Sequence, residues 1–89
     1  MAGTAQFSVL VEVRLREGIA DPQGATIERA LPALGFDDVS SMTTGRSFRF
    51  ELEADSAEAA QSRAEALATQ LLANPVMEDA QVSVSVGVG

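Results

Sequence analysis

The segment FSVLVEVRL, residues 7–15, decides the fold because apolar and polar side chains alternate along its whole length. A period of two with one apolar face predicts a half-buried β-strand. Such a strand needs pairing partners along its edges and a second layer over its apolar face. The rest of the chain is therefore expected to supply further strands and helices. The apolar face of this first strand is formed by Phe7, Val9, Val11, Val13 and Leu15.

A helix is predicted directly after this strand, and its boundaries follow from a few residues. Asp21 is typical of a helix N-cap, and Pro22 is favoured at the first helical position. Gly35 is the predicted C-cap. Pro32 lacks the amide hydrogen that a regular helix uses, so we expect a kink or an early end there. The apolar face of this helix is predicted to contain Ile27, Ala30, Leu31 and Leu34.

A second helix is predicted after the segment DSAE, residues 55–58. This segment matches a capping box, with Asp55 as the cap and Glu58 three residues later. Asn74-Pro75 is typical of a helix end. The face of this helix that we expect to be buried contains Ala60, Ala64, Leu67 and Leu71, flanked by Ala57 and Ala68.

Three more strands are predicted from the remaining segments. Residues 36–43 form a weaker strand, Thr44-Gly45 is a turn signal, and residues 46–53 alternate cleanly. These two strands are expected to form a hairpin, with Arg46 at its tip. Residues 81–88 alternate valine with small or polar residues, which predicts the last strand.

The resulting order, β-α-β-β-α-β, limits the possible architectures. Right-handed crossovers place both helices on the same face of one sheet. We therefore expect an α+β two-layer sandwich, with two helices on one face of a four-stranded antiparallel sheet, the ferredoxin-like arrangement. The chain is expected to form a single domain over residues 1–89, with flexible ends at residues 1–5 and 88–89.

The second face of such a sheet stays open and is polar. Two interpretations remain for it. It is either solvated, with cross-strand charge pairs worth ~0.2–1 kcal/mol each, or used for self-association, because its small side chains would let another backbone approach. Its residues are Arg14, Arg16, Arg49, Glu12, Glu51 and Glu53, around Ser8, Ser83 and Ser85.

Composition argues against catalysis by this chain alone. The sequence has no His, Cys, Lys, Tyr or Trp, and its six cations are all arginine. General acid–base and covalent catalysis near neutral pH usually rely on the missing types. The formal net charge of −7 makes binding to nucleic acid or to anionic membranes improbable. We expect a cytoplasmic protein that has no metal or cofactor of its own and functions by binding other molecules.

Two segments have residues that the fold alone does not require. One is DPQG at residues 21–24, and the other is LLANPVMED at residues 71–79. Together with LREG at 15–18 and TGR at 44–46, they make this chain resemble the PurS family, the small subunits of formylglycinamide ribonucleotide amidotransferase. The chain departs from the usual family pattern at Arg46, where lysine is common, and at Ala80 and Pro32. The resemblance implies subunit contacts at Arg16, Asp21, Gln23, Gly24, Arg46, Asn74, Glu78 and Asp79.

The resemblance also implies a function without catalysis. Members of the family are adaptors in purine biosynthesis that dock a glutaminase subunit onto an ATP-dependent synthetase subunit and support ammonia transfer between them. The implied partners are a second copy of this chain, as a homodimer or a dimer of dimers, and the two larger subunits. ATP, Mg²⁺ and glutamine would be used by those partners in a ligase reaction that this chain does not catalyse.

Two other function classes are alternatives to this interpretation. One is a regulatory domain of the same architecture that senses a small metabolite, and saturable binding of a ligand by the isolated protein would favour it. The other is a small enzyme such as an acylphosphatase, which needs a phosphate-binding loop before the first helix. Glu17, Asp21 and the missing Gly-rich turn argue against such an enzyme.

Overall fold

The alternating segment forms the central strand of the sheet. In this computed structural model, which describes residues 4–87, strand β1 (Ala5–Leu15) pairs antiparallel on both edges, with β2 (Gly45–Ala54) and with β3 (Glu78–Val86). Within these residues the sheet has three strands in the order β2-β1-β3. The ends of the chain that were expected to be flexible, and Val88 of the predicted last strand, fall largely or wholly outside the described residues.

One face of this sheet forms the core beneath helix α2 (Ala57–Leu67), which contacts all three strands. The α2 residues that are buried against the sheet are alanines, which let the helix backbone approach the strands closely. Phe48, Phe50 and Leu52 of β2 and Val82 and Val84 of β3 pack at the margins. The buried apolar side chains of the core in residues 4–87 are Phe7, Val9, Val11, Val13, Ala54, Ala60, Ala64 and Ala68.

The first turn of α2 differs from the predicted capping box. The N-cap is Ser56, whose Oγ accepts a hydrogen bond from the Ala59 N–H at 3.1 Å. Asp55 lies outside the helix and is exposed, so it does not cap the helix. Serine suits the position because its short side chain reaches the free amides of the first turn.

The end of α2 widens into a π-turn at Ala68–Leu72, where the Ala73 N–H donates to the Ala68 carbonyl at 2.9 Å. Leu71, which we expected on the buried face, is 74% exposed. Leu72 and Ala73 contact the core instead. The wide turn rotates the chain relative to an α-helix, so the inward position moves to the residues after Leu71.

The predicted fourth strand is absent from residues 4–87, and the predicted hairpin with it. Residues 36–43 are irregular, and Gly45 begins β2 instead of forming a turn. The backbone N–H groups of Met42 and Thr44 donate to the carboxylates of Glu28 and Asp21, so they are not available to a neighbouring strand. Ser41 also has a positive φ of 59°, which interrupts any extended run.

Residues 22–43, called the arm below, lie away from the core. Helix α1 (Pro22–Ala30) ends before Pro32, and a short 3₁₀ turn (Pro32–Leu34) follows, as the proline predicts. Gly35 then closes the turn with a φ of 93°, confirming the predicted cap. The expectation that α1 covers the sheet is wrong: within α1 only Gly24 is buried. The extent of the chain, 61 × 29 × 14 Å, reflects this projection.

Candidate docking site

The residues singled out in the sequence meet at one end of the sheet. Leu15 pairs with Glu78 and Arg14 with Gly45, so the ends of β1 and the starts of β2 and β3 lie side by side. Around this end the predicted contact residues fall into two clusters. One cluster surrounds Asp21 at the base of the arm, and the other surrounds Glu78.

The Asp21 carboxylate joins the two ends of the arm. Its Oδ1 accepts from the Gly24 N–H at 2.9 Å, and its Oδ2 accepts from the Thr44 N–H at 2.7 Å. The Thr44 hydroxyl adds a third donor at 3.0 Å from Oδ1. The N–H of Gly24, followed by that of Thr44, holds the pKa of Asp21 below its ordinary value. Asp21 therefore caps α1, as predicted, and its carboxylate also joins the two ends of the arm.

Gly24 and Gln23, two neighbours of Asp21, have different roles. A Cβ on Gly24 would lie 2.5 Å from the Met42 carbonyl oxygen, so only glycine fits this crossing of two backbones. Gln23 is exposed, and no side-chain hydrogen bond of it is found within residues 4–87. Gln23 is therefore available to another molecule, whereas Gly24 has a structural role.

Glu28 is a second carboxylate in the arm that the sequence did not single out. One of its oxygens accepts from the Met42 N–H at 2.9 Å. Glu28 lies one helical turn after Gly24, so both meet the returning chain at Met42. In the sequence alone, nothing distinguishes a helical glutamate that accepts such a hydrogen bond from one that faces solvent.

The Glu78 carboxylate organises the second cluster. Its Oε1 accepts from the Asn74 N–H and from Arg46 Nη2, both at 2.8 Å. The Asn74 N–H, with a further effect of Arg46, lowers the pKa of Glu78. Like Asp21, Glu78 therefore stabilises the fold above the ordinary carboxyl range near pH 4, and this contribution is lost as pH falls through its lowered pKa.

Arg16 holds the loop before β3 from the other side. Its guanidinium donates to the Pro75 carbonyl at 2.5 Å and pairs with Asp79 at 3.2 Å. Its backbone N–H donates to the Met77 carbonyl at 2.9 Å. Inside the loop, the Asn74 side-chain oxygen accepts from the Val76 N–H at 2.9 Å. The segment at residues 73–79 is thus fixed by charged side chains on both sides.

Arg46 lies at the start of β2, and its predicted place at a hairpin tip is wrong because no hairpin forms there within the described residues 4–87. Besides pairing with Glu78, it donates to the Leu72 carbonyl at 3.2 Å, at the end of the π-turn. Its guanidinium carbon also lies 5.6 Å from the centre of the Phe48 ring. Arg46 therefore joins β2, the end of α2 and β3.

We expect Arg46→Ala to lower the melting temperature by roughly 5 °C, since a cation at a helix C-terminus and its ion pair are both lost. Arg49→Ala is the matched control, because Arg49 lies on the open sheet face and has no ion pair among the described residues. Thermal melts at equal concentration measure both. An unchanged melting temperature for Arg46→Ala would contradict the structural role.

The described residues limit the other kinds of site. Within residues 4–87, no group of three His, Cys, Asp or Glu side chains is placed to hold a metal ion. None of the helices in this range is both long enough and apolar enough to span a membrane. The candidate site is thus an end of the sheet formed by ion pairs, carbonyls and exposed side chains.

Comparisons with known proteins give the family. The model of the PurS family, described as phosphoribosylformylglycinamidine (FGAM) synthase, matches residues 8–86. The PurS subunit of FGAM synthase from Methanothermobacter thermautotrophicus is 40% identical over 80 residues, covering 90% of this chain and 94% of that protein. The crystal structure of the PurS subunit from Thermotoga maritima has a TM-score of 0.84 and 32% identity, covering 92% of this chain and 94% of that chain.

A chain in the structure of PurLQS from Thermotoga maritima gives a TM-score of 0.82 and 32% identity, covering 90% of this chain and 98% of that chain. In each of these comparisons, the match therefore covers nearly the whole length of this chain and of the related protein. The chain belongs to the PurS family, the small subunits of FGAM synthase.

Proposed function

We propose that this protein is the non-catalytic adaptor subunit of an FGAM synthase and docks a glutaminase subunit onto an ATP-dependent synthetase subunit. The observation that carries the proposal is the likeness to a chain of the PurLQS structure over nearly its whole length. The reaction uses ATP, Mg²⁺ and glutamine on the partner subunits. Because these are cytoplasmic metabolites, the proposal places the protein in the cytoplasm.

The physical benefit of an adaptor lies in the chemistry of ammonia. Glutamine hydrolysis releases ammonia at one active site, and the activated amide that it attacks is formed at another. Ammonia that escapes into water near pH 7 is protonated, and ammonium is not a nucleophile. Holding the two sites in a fixed arrangement keeps the ammonia neutral and close to its target. Binding energy then acts by positioning, which needs no catalytic group on this chain.

The proposed contacts to other subunits lie around the end of the sheet described above. Gln23 and Asp79 have exposed side chains there. Arg16, Arg46 and Glu78 fix the backbone that presents the neighbouring residues. Asp21 joins the two ends of the arm and Gly24 lies within it, so their effect on contacts would be indirect.

Self-association is part of the same proposal, and the arm supports it. Leu34, which was expected on the apolar face of the first helix, is 71% exposed, and Phe36 is 52% exposed. The edge of β2 that faces away from β1 has no strand partner within residues 4–87. A second copy of the chain can cover these apolar side chains with its own arm, in a symmetric contact. A domain of this size also has little core of its own.

We expect light scattering at tens of micromolar to give a dimer or a dimer of dimers. The double variant Leu34→Ser with Phe36→Ser should shift the protein toward a monomer, because the apolar contact is lost. Val86→Ser is the matched control, as Val86 is 73% exposed but lies on the sheet, outside the arm. A wild-type monomer at this concentration would contradict the assignment of the arm.

Co-purification tests the adaptor assignment. We expect the tagged protein to retain both the synthetase and the glutaminase subunits of the same organism when glutamine and Mg-ADP are present. The same experiment without ligands shows whether assembly depends on them. Failure to retain either subunit under both conditions would contradict the proposed function.

A further inference from the structure

The two outer edges of the sheet, on β2 and on β3, differ in how α2 protects them. On β3, Gln61 of α2 donates to the Val82 carbonyl at 3.2 Å, at the middle of the strand. On β2, Arg63 of α2 donates to the Glu53 carbonyl at 2.6 Å, near the end of the strand. Among residues 4–87, no side chain hydrogen-bonds to the backbone of residues 47–52. The centre of the β2 edge is therefore bare, and a bare edge is a template for another strand.

The hydrogen bonds of the sheet show which backbone groups of β2 point outward. The Gly87 N–H donates to the Gln6 carbonyl at 2.8 Å, so the polar backbone groups of Gln6 are directed toward β3. Glu53 lies opposite Gln6, and its N–H and C=O therefore point away from β1. Because this direction alternates along a strand, the N–H and C=O groups of Arg49 and Glu51 also point outward. They are free to pair with an antiparallel strand.

The side chains of β2 are complementary to β2 itself. Antiparallel pairing about a two-fold axis at Phe50 places Arg49 of each copy opposite Glu51 of the other. On the core face, the same pairing places Phe48 opposite Leu52 of the second copy. An axis at residue 49 or 51 would instead place two arginines or two glutamates opposite each other, which is unfavourable. Only the axis at Phe50 brings Arg49 opposite Glu51.

The charges around this edge leave Arg49 and Glu51 available for such pairs. Both side chains are exposed, and neither forms an ion pair within residues 4–87. Their direct neighbours on β1 are uncharged. Glu12, diagonal to Arg49, and Glu53, beside Glu51, are the other charged groups at neighbouring positions of this face. The net charge of −7 opposes association at long range, but salt screens that repulsion more than it screens pairs in contact.

We propose that β2 pairs antiparallel with β2 of a second copy about an axis at Phe50, which forms one continuous sheet with three strands from each copy. This inference rests on the self-association in the proposed function and names a second contact for it. Pairing of one strand edge over residues 46–54 buries less area than a standard stable interface. The β2 contact is therefore weaker than the contact between the arms, and it joins dimers held by their arms into a dimer of dimers.

The test reverses the two charges singly and together. Arg49→Glu places glutamates opposite each other and Glu51→Arg places arginines opposite each other, whereas the double variant restores opposite charges in exchanged positions. Sedimentation over a concentration series up to several hundred micromolar measures the association of dimers. We expect each single variant to associate at least about tenfold more weakly, and the double variant within about threefold of wild type. Glu12→Arg is the matched control, because it changes the net charge as Glu51→Arg does but lies on β1, and it should associate like wild type.

An equimolar mixture of the two single variants separates a contact between copies from an effect within one chain. One β2 strand then has glutamate at both positions and the other has arginine at both, so unlike copies should associate at least as tightly as wild type. Hydrogen exchange of the wild type gives a second measurement. The outward N–H groups of Arg49 and Glu51 should become protected only on assembly, whereas the N–H of Phe50 points to β1 and should be protected throughout.

The possible outcomes distinguish this contact from the proposed function. Single variants that associate like wild type, or a double variant or mixture that does not recover association, would overturn the β2 contact. Fast exchange of the Arg49 and Glu51 amides in the dimer of dimers would overturn it as well. A wild-type protein that remains a dimer at several hundred micromolar would overturn the β2 contact and leave the arm contact standing, whereas a monomer would overturn both. Retention of the two larger subunits tests the adaptor assignment independently of these results.

Discussion

Replacing Ala64 by leucine should lower the melting temperature by roughly 5–15 °C. Ala64 is fully buried, at 0% exposure, where α2 crosses Val9, Val11 and Val13. Leucine would add three carbons to a site where helix and sheet backbones already approach closely. Overpacking of this kind costs about 1–3 kcal/mol, because either the helix must move outward or side chains must leave their preferred rotamers. A thermal melt at fixed protein concentration measures the change.

Ala66→Leu is the control for this variant. Ala66 lies on the outer face of the same helix and is exposed, and leucine is nearly as good a helix former as alanine. Its stability should stay within about 0.5 kcal/mol of wild type. Equal stability of the Ala64→Leu and Ala66→Leu variants would contradict the close packing of α2 on the sheet.

Gly24→Ala should loosen the arm and raise the hydrogen-exchange rate of the α1 amides by about tenfold or more. A Cβ at this position meets the Met42 carbonyl oxygen, so residue 42 must move away. That movement pulls Met42 from Glu28 and Thr44 from Asp21. The steric effect must exceed the gain of ~1 kcal/mol that alanine normally brings over glycine in a helix. Exchange is the informative measurement, because the arm can open while the core stays folded.

Gln23→Ala is the neighbouring control. It introduces the same residue one position earlier, where the side chain is exposed, and it leaves the Asp21 cap and the proline in place. Its α1 amides should exchange at the wild-type rate or slightly more slowly. Slow exchange in Gly24→Ala as well would show that the two backbones do not cross closely at this point.

The sequence predicted those elements whose pattern is local. Alternation in residues 7–15 and 46–53 identified β1 and β2, and alanine spacing identified α2. Pro32 correctly predicted the early end of the first helix. These predictions needed only the period of the side chains and the chemistry of neighbouring residues, which tertiary contacts did not override.

The failures come from contacts between residues far apart in the chain. Residues 36–43 have an acceptable strand pattern, but carboxylates of Asp21 and Glu28 take the amides that a strand would pair. The apolar face of α1 is real, yet nothing in its pattern indicates that it points away from the sheet of its own chain. A periodic pattern of apolar residues predicts an apolar helix face, but it does not identify which surface packs against that face.

In the candidate site, too, the sequence predicted local features and missed contacts between distant residues. Asp21 was correctly identified as a cap from its position before Pro22, but its bond to Thr44 spans 23 residues and has no local signal. Arg46 was singled out through the family resemblance and correctly placed at the start of a strand, but the hairpin whose tip it was expected to form is absent from residues 4–87. Its contacts with Glu78 and Leu72 depend on the strand order, which places β2 and the end of α2 together.

The most direct test of the adaptor assignment is the turnover of a reconstituted complex with and without this protein. Glutamine and ammonia are supplied in parallel as nitrogen sources to the synthetase and glutaminase subunits, with ATP, Mg²⁺ and formylglycinamide ribonucleotide. We predict that omitting this protein abolishes most glutamine-dependent product formation and has a much smaller effect on ammonia-dependent formation, because only the former needs the two active sites held together. Glutamine-dependent turnover that is unchanged without this protein would contradict the assignment.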